Sequence, residues 1–531
     1  MSVPPTVAAT AAPPPTDVLD TPAAGGLAIR GSAVRAAGQL TVMGLSLASL
    51  PLLTRHLGVA QFGRYALVVS LVGLVGTVTD SGLGALAVRE YAVRSGADRD
   101  RLLANLLGVR LALTVVAVAI AVVYALLAGF GGPLVLGTVL AGIGLFFAVA
   151  QGALAVPLAA ELRLGWVAVL DLMRQAVLVS LIVGLVLLGA GIVEFLAVPI
   201  ASGLVALLGT ARLVRGRTPF VPRLEPAQSR ALLRETIPLA AAGLIYNVYF
   251  RLVLLVMGLV STALQTGYFA LSFRVVEVLM VVPFLLIGTL LPLLSRAARD
   301  DQVRLRYALA RTWDVALIGA GCFALVTALG APVAIAVIAP GSGAPAAGVL
   351  RIQALALAIA FLSITWGISF IALRWHRVLV LSNGFALLVT LALALALIPL
   401  LGARGAALAT VIGELSLLVI SCVAVVRRRR DLWPGLGVLP RVLAAVAVGA
   451  GVVLVPALGD VARTVAATTL YFVVLALLRA IPDELVAAVR GGRLWLPPRR
   501  RRLRRSGVAQ RTSGRLGPRR EGQARRGRRN S

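Results

Sequence analysis

Apolar runs of about twenty residues follow one another almost without interruption from residue 36 to residue 480. A helix needs roughly 20 apolar residues to cross the ~30 Å hydrocarbon layer of a bilayer, and inside that layer every backbone polar group must find its partner within the protein. A chain of 531 residues that is 59% hydrophobic, with a mean hydropathy of +0.96, has no soluble alternative. Windows bounded by charges, proline or glycine predict helices over 36–53, 65–88, 106–128, 133–157, 166–189 and 192–210. A second series is predicted over 237–260, 268–294, 313–338, 347–372, 378–400 and 405–426, followed by 437–458 and 462–480. The expected fold is an all-α polytopic membrane protein of about fourteen transmembrane helices, two six-helix repeats plus two C-terminal helices.

The arginines orient these spans. With a cytoplasmic N-terminus the even-numbered connections should be basic, and they are: 89–101, 211–234, 295–311, Arg374 with Arg377, and Arg427 to Arg430. The opposite connections 129–132, 190–193, 259–267 and 339–346 carry no basic residue, whereas the first, with Arg55, His56 and Arg64, breaks the pattern. The expectation is a multi-pass protein of the cytoplasmic membrane with both termini cytoplasmic. Its expected organisation is a disordered N-terminus (1–30), an N-terminal bundle (31–210), a basic linker (211–236), a C-terminal bundle (237–426), two added helices (427–480) and a basic tail (481–531).

The net charge of +30 is concentrated in that tail, where arginine runs such as 499–502 adjoin a membrane span. Such a tail reads as a topology signal and a contact for anionic lipids, not as a nucleic-acid site. Lysine is absent from the chain. Cys322 and Cys422 stand alone in apolar runs, so neither a disulfide framework nor a metal site is indicated. Two histidines, no HExxH, no CxxC and no phosphate loop ending in Gly-Lys-Ser/Thr leave no signal for a metal, a cofactor or ATP hydrolysis. The first 26 residues are Pro/Ala-rich, without the basic and apolar regions of a signal peptide.

Two short stretches match at an offset of six helices: Gly63-Arg64-Tyr65-Ala66-Leu67 and Gly267-Tyr268-Phe269-Ala270-Leu271 share glycine, any residue, an aromatic, Ala and Leu. Each opens a helix running in the same sense, as parallel repeats do in one class of transporters. The segment RHLGVAQFGRYALVVSLVGLVGTVTDSGLGALAVREYA (55–92) resembles the first helical hairpin of the oligosaccharide flippases of polysaccharide biosynthesis. These share a superfamily with multidrug/toxin extruders and the lipid II flippase. The resemblance rests on Leu57-Gly58, Phe62-Gly63-x-Tyr65, Asp80-x-Gly82-Leu83 and Arg89, and in the second half on Pro238, Gly267, Tyr268, Pro283 and Pro292. It implies a flippase, not an enzyme, that moves a polyprenyl-pyrophosphate-linked oligosaccharide by alternating access. It also implies contact with glycosyltransferases or the polymerase of the same pathway. The family pattern places an acidic residue just after the arginine of the seventh helix, whereas Leu252 and Val253 follow Arg251 here. A drug/cation antiporter or a lipid II flippase of the same superfamily stays open, as does a membrane glycosyltransferase or polymerase, against which the short outer connections speak.

Charges inside apolar spans mark candidate sites, because a charged side chain at bilayer depth must face protein or water. In LSFRVVEVLM (271–280) Arg274 and Glu277 lie roughly 60° apart on one helix face. On the preceding antiparallel helix Arg251 and Asn247 share a face. Together Asn247, Arg251, Arg274 and Glu277 form a polar patch suited to a pyrophosphate or sugar chain, or else a structural salt bridge between two helices. Asp171 and Arg174 repeat the i, i+3 spacing nearer the inner side, as a gating pair or a self-contained one. Glu414, at mid-depth without a local partner, is a protonatable coupling group or a neutral hydrogen-bonded acid. Asp80 caps a break in the second helix or takes part in gating.

Overall fold

The computed structural model describes residues 24–80, 82–216, 221–455 and 458–481. The predicted disordered N-terminus, up to residue 23, and the basic tail from 482 onward lie outside the described residues. The chain forms α1 (Ala24–Asp80), α2 (Leu83–Val93), α3 (Gly96–Leu127), α4 (Gly132–Leu154), α5 (Val156–Ala160), α6 (Leu164–Leu187) and α7 (Ile192–Leu213). Then come α8 (Pro226–Val260), α9 (Ala263–Leu279), α10 (Val281–Gly288), α11 (Leu291–Asp300), α12 (Gln302–Ile338), α13 (Pro345–Ala372), α14 (His376–Leu401), α15 (Ala403–Arg429), α16 (Leu439–Ala450) and α17 (Asp460–Leu477). Among the described residues there is no strand. Among the described residues twelve helical stretches are long and apolar enough to cross a membrane, and the first of them, in α1, is broken within at Gly58. With the shorter apolar helix of 439–454, the spans number about fourteen.

Several helices run further than apolarity alone predicted. α1 begins at Ala24 and α3 at Gly96, so Arg35 and Arg110 lie within helices and not at their ends. The first outer connection is helical on both sides of Gly58, whose φ of 74° is open to glycine alone without strain. The predicted span 437–458 is shorter than expected, an α-helix to Ala450 with one 3₁₀ turn to Leu454. Pro283 and Pro292 stand in the first turns of α10 and α11, so the predicted helix 268–294 is divided where proline removes a backbone donor.

In lipid the hydrophobic effect does not draw helices together, and close packing of small side chains does most of that work. α1, α3, α4, α6 and α7 pack on one another, with α4 against α7 the most extensive pairing; α9 and α12 to α15 form a second group with α8, while α16 and α17 pair and lean on α12. Tyr471 in α17 fixes that contact by donating to the Ile318 carbonyl at 2.7 Å.

The two groups meet tightly at the arginine-poor end. A Cβ on Gly63 would come within 2.6 Å of the Gly267 nitrogen, and one on Gly267 within 2.2 Å of the Val59 carbonyl oxygen. The two glycines of the repeated motif are therefore packed backbone to backbone, an approach any larger residue would block. Phe62, Leu67, Met257 and Phe269 are fully or almost fully buried around them. Thr54 hydrogen-bonds the Ile338 carbonyl across the same junction, and Tyr124 donates to the Leu255 carbonyl at 2.8 Å.

At the arginine-rich end the connection between the groups is clamped. Asn105 of α3, fully buried, accepts hydrogen bonds from the Glu225 amide and the Ser229 hydroxyl, both at 2.9 Å. The Arg223 amide donates to the Ala104 carbonyl at 3.0 Å, and Gly108 leaves room for the Arg223 backbone to lie directly on α3. Leu232, two turns into α8, packs with Leu83, Tyr91 and Leu102 of the first group.

Candidate substrate site

Arg251 and Arg274 share one carboxylate. Glu277 accepts from Arg251 Nη2 at 2.9 Å and from Arg274 Nη1 at 2.5 Å, with side-chain exposures of 20%, 32% and 22% for Arg251, Arg274 and Glu277. α9 starts five residues earlier than the apolar pattern predicted, which puts Arg274 roughly 16 Å and Arg251 roughly 13 Å below the same end. The longer helix brings the two arginines closer in depth. Glu277 of the next helix thus supplies Arg251 with a carboxylate that its own neighbours Leu252 and Val253 do not. The Arg251 guanidinium rests against Gly73 of α1, where a Cβ would stand 3.5 Å from its Cζ, and its buried Nε has no hydrogen-bond partner. Tyr65 of α1 lies close enough to Arg274 to interact with it electrostatically. The trio carries one net positive charge between the two helix groups, not against lipid.

Toward the arginine-rich end Gly73 also borders a cavity of about 890 Å³. Asn247 and Asp171 line it together with Arg35, Arg110 and Gln151. Asn247 donates to the Gly243 carbonyl at 2.9 Å, one turn back on α8. Arg174 and Arg35 both act electrostatically on the Asp171 carboxylate, so Asp171 answers to a guanidinium from α1 as well as to its helix neighbour. Gln151 of α4 donates to the Thr210 hydroxyl of α7 at 3.3 Å. Arg110 is 5% exposed and packs beside Gly152. Sequence reasoning passed over Arg35, one residue before the predicted span 36–53, and Arg110, in the second turn of the predicted span 106–128. A count of guanidiniums within one helix length of the span edges would have found them.

Glu414 is elsewhere. It is 4% exposed in α15, with Tyr249 of α8 and Ser363 of α13 beside its carboxyl group. It borders a mainly apolar cavity of about 290 Å³ that reaches His376, and also a void of about 20 Å³ lined by Tyr249, Gln353, Thr390 and Thr410. That void has room for one water among polar partners, and Tyr249 Oη, Gln353 Oε1 and Thr390 Oγ1 are buried there without a hydrogen bond of standard geometry. The structure therefore supplies the local partners that the sequence around Glu414 lacks. Asp80 ends α1, and Gly82, at φ 78°, starts α2 without a side-chain cap; the Asp80 side chain lies outside the described residues. Among the described residues no three His, Cys, Asp or Glu side chains cluster as metal ligands would.

The sequence profile of a family described as polysaccharide biosynthesis protein matches residues 28–298, just over half of the chain. No curated protein sequence matches. Among solved structures the chain is similar to "Lipid II flippase MurJ, inward closed conformation", at 12% identity and a TM-score of 0.68, covering 86% of this chain and all of the other. It is also similar to a multidrug resistance MATE family transporter of the MOP superfamily. The inward-facing form gives a TM-score of 0.57 at 16% identity, covering 75% of this chain and 98% of that one. The outward-facing form gives 0.52 at 16% identity, with 76% and 96% covered. Profile and fold agree: the chain belongs to the polysaccharide biosynthesis protein family, as a multi-pass membrane protein with the fold shared by those transporters.

Proposed function

We propose that this transporter moves a polyprenyl-pyrophosphate-linked oligosaccharide from the cytoplasmic to the outer leaflet by alternating access. The observation that carries the reading is the pair of guanidiniums sharing the single carboxylate of Glu277, with Arg251 resting against Gly73, which also borders a cavity of about 890 Å³. A pyrophosphate entering that cavity competes with Glu277 for both arginines. Guanidinium binds phosphate oxygens in a fork, and charge-assisted bonds of this kind are roughly twice as strong as neutral ones. Arg35 and Arg110 extend the positive lining toward the arginine-rich end, while Asn247 and Gln151 offer amides to sugar hydroxyls. The helices of 31–210 and 237–426 then rock about the cavity, with the seal at Gly63 and Gly267 opening as the other end closes.

In this reading the arginine-rich end is cytoplasmic, both termini lie on that side of the cytoplasmic membrane, and the tail of 481–531 contacts anionic lipids. Glycosyltransferases or a polymerase of the same pathway supply and consume the cargo. The Glu414 group, separate from the arginines and bordered by a water-sized void, favours a coupling role for a proton or small cation. It is also what a drug/cation antiporter of the superfamily would need. The two cargoes are told apart in proteoliposomes loaded with a labelled short-chain polyprenyl diphosphate sugar. Arg251→Gln and Arg274→Gln, at matched insertion, should each lower its translocation at least tenfold. Wild-type rates in both would remove the phosphate-contact proposal.

A further inference from the structure

Arg64 is one of the charges that break the orientation pattern, and the structure gives it a setting. It stands on α1 just past the kink at Gly58, on the arginine-poor side of the Gly63–Gly267 seal. With Gln61 it walls a crevice of about 450 Å³ between the two helix groups. The α3–α4 turn at Gly129 to Gly131 forms one side, and Ser261 and Thr266 of the second group form the other. The floor is the seal itself, where Leu67 packs onto Gly258. Arg64 is exposed and bonds only weakly to Gln61, at 3.5 Å; among the described residues no carboxylate pairs with it. The next residue, Tyr65, lies on the far side of α1 near Arg274. Two guanidiniums thus flank the seal, one in the central site and one in the outer crevice.

We infer that the crevice is a release-side subsite for the phosphate-bearing headgroup of a lipid, held by Arg64. This rests on the proposed function, because its sense is a hand-over: when α1 and α9 part, an anionic headgroup leaving Arg274 of α9 meets Arg64 on the facing helix α1. An exposed guanidinium without a carboxylate partner among the described residues, in a crevice it shares with Gln61, Ser261 and Thr266, presents its fork to phosphate oxygens. The headgroup comes either from the transported diphosphate lipid or from ordinary anionic phospholipid, and the two are separable.

The test uses the full chain in lipid nanodiscs, with Cys322 and Cys422 replaced by Ser and a reporter cysteine at Ser261→Cys or, independently, Ala128→Cys. Farnesyl diphosphate should slow maleimide labelling of the reporter in neutral phosphatidylcholine discs. Arg64→Gln should raise the concentration needed for half protection roughly tenfold or more, and Arg64→Lys by less. Equal protection in wild type and Arg64→Gln overturns the inference. So does full protection by phosphatidylglycerol discs with no further effect of the diphosphate, which makes the crevice a phospholipid contact and not a release site. The double variant Arg251→Gln/Arg274→Gln keeps the outer protection if the crevice is a site of its own. Transport measured in that variant judges the proposed function separately.

Discussion

Gly267→Ala is the sharpest test of the seal. The added methyl would stand 2.2 Å from the Val59 carbonyl oxygen and 2.7 Å from Val59 Cγ1, where ordinary contact begins at 3.4 Å. Both atoms belong to α1 at its kink, and the nearest is backbone, so no side-chain rotation relieves the clash. α1 and α9 must withdraw by about 1 Å or more, which a close-packed junction resists at a cost of about 1–3 kcal/mol. That cost falls on the sealed state and not on a state in which the helices have parted. The population balance should therefore move toward the outward-open form by roughly five- to a hundredfold. The assay places one cysteine at Asn247, on the central cavity, with Cys322 and Cys422 removed, and measures its labelling by a membrane-impermeant maleimide from each side. Gly267→Ala should raise the rate from the arginine-poor side at least about fivefold and lower it from the other. Gly44→Ala, where a Cβ meets nothing within 4 Å, is the matched control and should change neither. An unaltered labelling ratio in a well-inserted Gly267→Ala protein would refute the claim that this contact holds the outer side shut.

Glu277→Gln leaves two half-buried guanidiniums without their shared carboxylate. It should cost about 1–3 kcal/mol of stability, less than for a fully buried pair because all three side chains are partly exposed, and a lower thermal midpoint in detergent reads it. Asn105→Ala abandons the Glu225 amide and the Ser229 hydroxyl, at about 1–3 kcal/mol, and should make the connection between α7 and α8 several-fold more sensitive to protease added on the arginine-rich side. Tyr471→Phe leaves the Ile318 carbonyl without its side-chain donor; a loss of about 1 kcal/mol should show as faster hydrogen exchange in α17, with transport near wild type.

The sequence made the spans legible because burial in lipid imposes length and apolarity on each of them, and Arg251, Arg274, Asn247 and Glu277 stood out as charges and polar groups that lipid would reject. Their pairing was half legible. The i, i+3 spacing of Arg274 and Glu277 implied their contact, but that Glu277 also reaches Arg251 depends on how two helices cross, which periodicity does not contain. Arg35 and Arg110 were invisible for a different reason. Apolarity marks where a helix meets lipid and says nothing of how far it continues into water or around a polar cavity. The repeat of Gly63 and Gly267 could be read from the letters, yet not that the two copies touch. The partners of Glu414, Tyr249 and Ser363, come from helices 165 and 51 residues away along the chain, beyond any local rule.

The clamp at Asn105 has a consequence for anyone who would recombine this transporter with a relative. The first turns of α8 are fastened to α3 through Glu225, Ser229 and Leu232, although that helix also packs with α9, α14 and α15 of the second group. A chimera joined at the loop after α7 would separate Asn105 from residues fitted to it. A productive seam belongs farther along, inside α8 itself, so the boundary at which these halves are interchangeable parts is not the boundary at which the helices are connected.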